Sequence, residues 1–97
     1  MREEICTAIQ ERKLLSVYYD GEYRRVEPHV YGLSAKGNEL LRVYQVEGYS
    51  ESGAVIYWKL LDVSKLSVIT VLPEQFPGPR PDYNPDDPAI KSIFCQL

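Results

Sequence analysis

Apolar positions recur along this chain with two different periods, and the period changes once. In residues 3–13, Ile5, Ala8 and Ile9 stand at i, i+3 and i+4, the spacing that lines one face of an α-helix. Glu3 and Glu4 fall where the positive end of the helix dipole favours acids, and Arg12 and Lys13 suit the opposite end. From Leu14 the repeat shortens to two. Leu15, Val17 and Tyr19 alternate with Ser16 and Tyr18, which predicts a strand, and Asp20-Gly21 is a hairpin-turn dipeptide. A second strand from Glu22 to Leu33 places Arg24, Val26, Pro28 and Val30 on one face and Arg25, Glu27, His29 and Tyr31 on the other. Pro28 marks a bulge or an edge. After a turn at residues 34–37, Leu41, Val43 and Gln45 alternate with Arg42, Tyr44 and Val46 in a third strand from Glu39 to Tyr49. Glu51-Ser52-Gly53 turns the chain into a fourth, Ala54–Leu61, rich in β-branched and aromatic residues, and Ser67–Leu72 supplies a fifth.

One helix followed by five short strands, with no crossover helices, predicts a mainly β fold: a small, strongly bent antiparallel sheet or barrel spanning residues 1–72. Residues 73–97 form an extension. Six prolines fall between Pro73 and Pro88, so this part is expected to lie extended over the surface without a ladder of its own. Asp86-Asp87-Pro88 then reads as a helix start, an acidic cap followed by proline in the first turn. The expected helix, Ala89–Leu97, carries Ile90, Ile93, Phe94 and Leu97 on a face that docks on the same domain or on another chain.

Length and composition narrow the class. The chain has 97 residues, 44% of them apolar and 26% charged, which is one globular domain's worth. Its longest uncharged run is eight residues, against the roughly 20 apolar residues a spanning helix needs. Met1-Arg2-Glu3-Glu4 opens neither a secretory signal nor an Arg-rich transit peptide, so the cytoplasm is the expected compartment and no membrane partner is expected. The two cysteines, Cys6 and Cys95, are too few for a disulfide-stapled secreted fold and are expected to be reduced, although a bridge between them stays open because the two ends of a small domain often lie close together. A net charge of −3 supplies no global field for nucleic acid. Its distribution is uneven, however: residues 1–70 hold 9 basic and 10 acidic side chains, whereas residues 71–97 hold 2 basic and 4 acidic ones, so a local basic patch on the first part is open.

The motifs of common catalytic machinery are missing. His29 is the sole histidine, with no cysteine pair or His-Glu-x-x-His spacing, so no zinc site of the usual kind is expected. There is no nucleophile elbow, phosphate loop or dinucleotide fingerprint. The expectation is a non-enzyme without metal or cofactor. What remains is cationic and aromatic side chains interleaved on the strands: Arg24, Arg25 and Tyr31, then Arg42 and Tyr44, then Tyr57, Trp58 and Lys59. Arginine forks match phosphate, and aromatic rings stack on bases. The alternatives stay open, because Tyr and Trp also fill the ends of small barrels and Arg24 and Arg25 have Glu22, Glu27 and Glu47 as cross-strand partners. His29 is either a neutral strand residue bonded to backbone or part of the same pocket.

In order and spacing these segments resemble the WYL domain, particularly its short stand-alone bacterial members without a helix-turn-helix. The resemblance covers nearly the whole chain. It rests on Ala8-Ile9 with the following charged stretch and the Val17-Tyr18-Tyr19 strand, on Arg24-Arg25-Val26-Glu27-Pro28 for the family's Arg-x-Val-x-Pro, on His29-Val30-Tyr31-Gly32, on the run from Asn38 to Gln45, and on the closing segment from Pro79 to Asp87. Two departures stand out. The naming Trp-Tyr-Leu triplet is Glu39-Leu40-Leu41, and the family's Phe-Arg-Leu-Asp-Arg-Ile is Leu61-Asp62-Val63-Ser64-Lys65-Leu66, with Asp62 for the first arginine and Lys65 for the second. The resemblance implies an Sm-like small β-barrel, a regulatory module that binds nucleotides or single-stranded nucleic acid in transcription control, DNA-damage response and phage defence.

The first expectation is therefore a ligand-sensing module. Arg24, Arg42, Lys59 and Lys65 supply charge, Tyr31, Tyr44 and Trp58 supply stacking surface, and His29 lines the same pocket. The second is a protein-interaction or oligomerisation module that has lost ligand binding and contacts its partner through the C-terminal helix or an open strand edge.

Overall fold

A computed structural model describes all 97 residues. The first helix, α1 (Glu3–Glu11), buries Ile5, Ala8 and Ile9 and ends at Arg12, whose left-handed backbone (φ 55°) returns its N–H to the carbonyls of Ala8 and Ile9. That reversal drops the chain directly into β1 (Lys13–Tyr19). Asp20 and Gly21, both at positive φ (49° and 81°), make the two-residue turn whose twist suits a hairpin, and β2 (Glu22–Leu33) pairs back with Tyr19 opposite Glu22. Next come β3 (Glu39–Gly48), β4 (Tyr57–Asp62), a 3-10 turn at Val63–Lys65 and β5 (Leu66–Gln75). The fourth strand starts three residues later than its composition suggests, and the fifth continues through Pro73, which an edge strand tolerates.

All pairings are antiparallel, in the order β4-β3-β2-β1-β5. The sheet does not close: β4 and β5 form no ladder with each other. Its core face carries Leu15, Val17, Val26, Tyr31, Leu41, Val43 and Leu61, packed against α1. Val26 and Tyr31 both lie in this core although they are five positions apart. The cause is an irregularity in β2, where Pro28 opposes Val43 and Val30 opposes Arg42, leaving His29 as the extra residue of a bulge beside Pro28. Strict alternation places Tyr31 opposite to Val26, and the bulge corrects this: from Val30 onward the faces exchange.

Two expectations for the C-terminal part are overturned. Ala89–Leu97 is not a helix; its second half is β6 (Ser92–Gln96), antiparallel to residues 30–33 of β2. The reason lies in β2. Its 12 residues outrun β1, which pairs only as far as Val26, so the remaining backbone groups need a second partner. Gly32 admits it, since a Cβ there would collide with the Ser92 carbonyl and the Ile90 side chain. The two cysteines are not reduced: a Cys6–Cys95 disulfide ties α1 to β6. Between β5 and β6, residues 76–91 run without a ladder, whereas Pro73–Gln75, expected to lie outside any ladder, continue β5. No helix is long and apolar enough to cross a membrane.

Candidate anion site

The eight residues singled out from the sequence separate onto two faces of the sheet, with Tyr31 in the core. Arg24, Lys59 and Lys65 converge at one end of the core face, around a cleft of about 300 Å³ that Tyr19 also lines. The register places them. Arg24 opposes Val17, and Lys59 opposes Val43, so both project on the side of the core residues but beyond the packed cluster. Lys65 enters from the 3-10 turn that follows β4.

Arg24 is 6% exposed. Its Nη1 donates to Gln45 Oε1 at 3.3 Å, and Gln45 is held in turn by the Tyr49 carbonyl at 2.8 Å. The guanidinium carbon lies 5.0 Å from the Tyr19 ring centre and 5.9 Å from that of Tyr49. No carboxylate pairs with it, and its Nε is buried without any hydrogen-bond partner. Lys59 likewise has no carboxylate. Its Nζ donates to Ser50 Oγ at 2.8 Å and Ser52 Oγ at 3.1 Å, and burial, reinforced by the charge of Arg24, holds its pKa below the ordinary lysine value. Lys65 stands at the rim, 4.0 Å from Asp20 and 6.0 Å from the Tyr19 ring centre. Asp62, where the family resemblance places an arginine, caps the 3-10 turn by accepting from Ser64 N at 3.0 Å and Ser64 Oγ at 2.7 Å. These bonds draw its carboxyl below the usual range.

The other candidates are elsewhere. Tyr31 is fully buried, accepting from the Arg2 amide at 2.8 Å and donating to Glu39. Burial, with that bond to a carboxylate, pushes its hydroxyl up to about 12. It is a core residue. Arg42, Tyr44, Trp58 and His29 lie on the outer face, under the proline-rich segment. Arg42 forms a bidentate pair with Asp87 (2.7 and 3.2 Å), and Trp58 Nε1 donates to the Pro81 carbonyl at 3.1 Å. Arg80 pairs with Glu27 at 2.7 and 2.9 Å and lies 4.5 Å from the centre of the Tyr44 ring. The His29 ring packs among Trp58, Phe76 and Tyr83 with centroid separations of 4.7, 5.6 and 5.3 Å. Its Nε2 accepts from the Arg80 amide at 3.2 Å, so Nδ1 carries the proton and donates to the Glu27 carbonyl at 2.9 Å. Burial lowers its pKa, and the Arg80 charge acts in the same direction.

The continuous basic-aromatic face expected from the strand pattern is thus divided: Arg24, Lys59 and Lys65 lie at the open cleft, and Arg42 and the aromatics lie beneath the proline-rich strap formed by residues 76–91. Asp87 is explained by Arg42 and by a turn, since its Oδ1 accepts from Ala89 N at 3.0 Å, not by capping a helix. Burial raises its carboxyl, but these bonds and the Arg42 charge outweigh it and leave the pKa below normal. Sequence reasoning missed Tyr19, Gln45 and Ser52 at the cleft and Arg80 and Tyr83 in the strap. Arg80 had one signal, as one of only two cations in the acidic tail. Comparison of the chain with family models, curated proteins and solved structures found no match.

Proposed function

We propose that the chain is a non-enzymatic ligand-sensing module of the WYL type, with an Sm-like architecture, that takes a nucleotide or short single-stranded nucleic acid by its phosphate at the Arg24–Lys59–Lys65 cleft. One observation carries this reading: a buried guanidinium with an orphan Nε shares a cleft with a second cation, and neither has a carboxylate partner. A buried charge left uncompensated costs several kcal/mol, and a bound anion removes that cost. The strand order, with a 3-10 turn leading from β4 to β5 and β5 returning to β1, is compatible with a barrel-like module although its edges are unpaired. The test is a titration of the folded protein with a mononucleotide and a short oligonucleotide, by calorimetry at low and high salt. Salt-sensitive binding in the micromolar range, about tenfold weaker in Lys59→Gln, is the expected result. No binding at low salt overturns the reading.

A second reading, a protein-interaction module, is favoured by β4. This is an edge strand flanked by apolar side chains, with Ile56 62%, Tyr57 58% and Leu60 38% exposed. The C-terminal segment cannot serve as its docking helix, being a strand of the sheet. A monomeric protein at high concentration by light scattering counts against self-association through that edge.

A further inference from the structure

Building on the proposed anion site, we infer that its ligand is recognised through one phosphomonoester, a single terminal phosphate, and not along the backbone of a strand. Three features of the cleft lead there. First, Arg24 and Lys59 are two adjacent cations that no carboxylate pairs, while Lys65 at the rim is offset by Asp20 at 4.0 Å, which suits one compact phosphomonoester of charge about −2. Second, there is no track for a second phosphate. Asp20 and Glu51 line the same cleft beside the cations, and Arg42 and Arg80 are each consumed by a bidentate carboxylate on the far face. A strand continuing out of the cleft meets acids. Third, the cleft is lined by one ring, Tyr19, and offers no row of rings on which successive bases could stack. Tyr19 already carries Arg24 and Lys65 near its ring, and Trp58 and Tyr44 lie under the strap.

The phosphate sits at the cleft floor in this arrangement. It accepts from Arg24 and from the Lys59 proton that the two serine hydroxyls leave unused, with Lys65 at the rim and the remainder of the ligand in solvent. A mononucleotide, a sugar phosphate and the 5′ end of an oligonucleotide share this chemistry.

Calorimetry separates these sources. The probes are adenosine 5′-monophosphate, ribose 5-phosphate, inorganic phosphate, a 5′-phosphorylated ten-nucleotide strand, and the same strand without its terminal phosphate. Expected are comparable affinities for every phosphomonoester, at least about tenfold weaker binding of the unphosphorylated strand, and a further tenfold loss in Lys59→Gln with Lys36→Gln unchanged. Inorganic phosphate binding as tightly as adenosine 5′-monophosphate supports recognition of the phosphate alone. Affinity that rises with strand length whether or not the end is phosphorylated overturns the single-phosphate inference while leaving the proposed function intact. Tight phosphomonoester binding that Lys59→Gln and Lys65→Gln leave unchanged places the site elsewhere. Failure of every probe to bind a folded sample overturns both.

Discussion

Arg24 and Arg42 are both strand arginines with a tyrosine within two positions in the sequence, yet they do different work. Arg24 is buried with an unsatisfied Nε, whereas Arg42 spends both arms of its fork on Asp87, whose side chain is 5% exposed. Removing Arg42 strands a buried carboxylate, so Arg42→Ala is expected to lower stability by about 3 kcal/mol in urea titrations and to leave phosphate affinity unchanged. Weakened affinity at unaltered stability would return Arg42 to the site. His29 makes a pH prediction. Its folded pKa is lowered below 6.5, so the unfolded chain takes up the proton first. The stability held by neutral His29 is complete above pH 6.5 and is lost as pH falls from there through the folded pKa. Protonation also removes the acceptor for the Arg80 amide and sets a cation beside Arg80. The urea midpoint is therefore expected to fall between pH 7 and pH 5, above the carboxylate range, and the fall should flatten in His29→Gln. A midpoint constant over that window would show that His29 contributes nothing to acid sensitivity.

At the scale of elements, what the sequence discloses is local and what it hides is contributed by a distant partner. The helix at Ile5, Ala8 and Ile9, the Asp20-Gly21 hairpin and the alternation of Leu41, Val43 and Gln45 were legible because neighbouring residues decide them. The C-terminal strand was not. Ile90, Ile93, Phe94 and Leu97 satisfy a helical period, and only the edge of β2 that β1 leaves open beyond Val26, some 60 residues earlier in the chain, selects the extended form. The same holds for the site: residue type identified Arg24, Lys59 and Lys65, but the division of the basic-aromatic set needed the strap, whose anchors Arg80 and Asp87 act across the sheet. Gly32 tests the account of β6. Gly32→Ala drives a methyl into the Ser92 backbone, and hydrogen exchange of residues 92–97 is expected to accelerate by tenfold or more while β3 amides keep their protection. Unchanged exchange at β6 would mean that the close approach does not hold this strand.

Over the whole molecule, the cleft and the C-terminal staple lie at opposite ends of β2. Arg24 and Val30, where β6 begins its pairing, are six residues apart, about 20 Å along an extended strand. The disulfide joins residues 89 positions apart and so closes nearly the entire chain into one loop. Constraining the unfolded chain in this way typically contributes about 2–4 kcal/mol, or some 10 °C or more in melting temperature for a domain of this size. Reduction, or Cys95→Ser, is therefore expected to lower the melting temperature by that amount. The cleft should survive the change, because its residues come from β1, the β1–β2 turn, β2, the β3–β4 loop, β4 and the 3-10 turn, and none from β6 or the strap. Phosphate affinity measured well below the new melting temperature is expected to remain within about twofold. A reduced protein that keeps its stability would show that the packing of Phe94 and Leu97 on the core holds β6 without the covalent bond. One that loses phosphate binding while still folded would show that the staple reaches the cleft through β2. Thiol labelling of the unreduced protein fixes the starting state of the comparison, with neither Cys6 nor Cys95 expected to react.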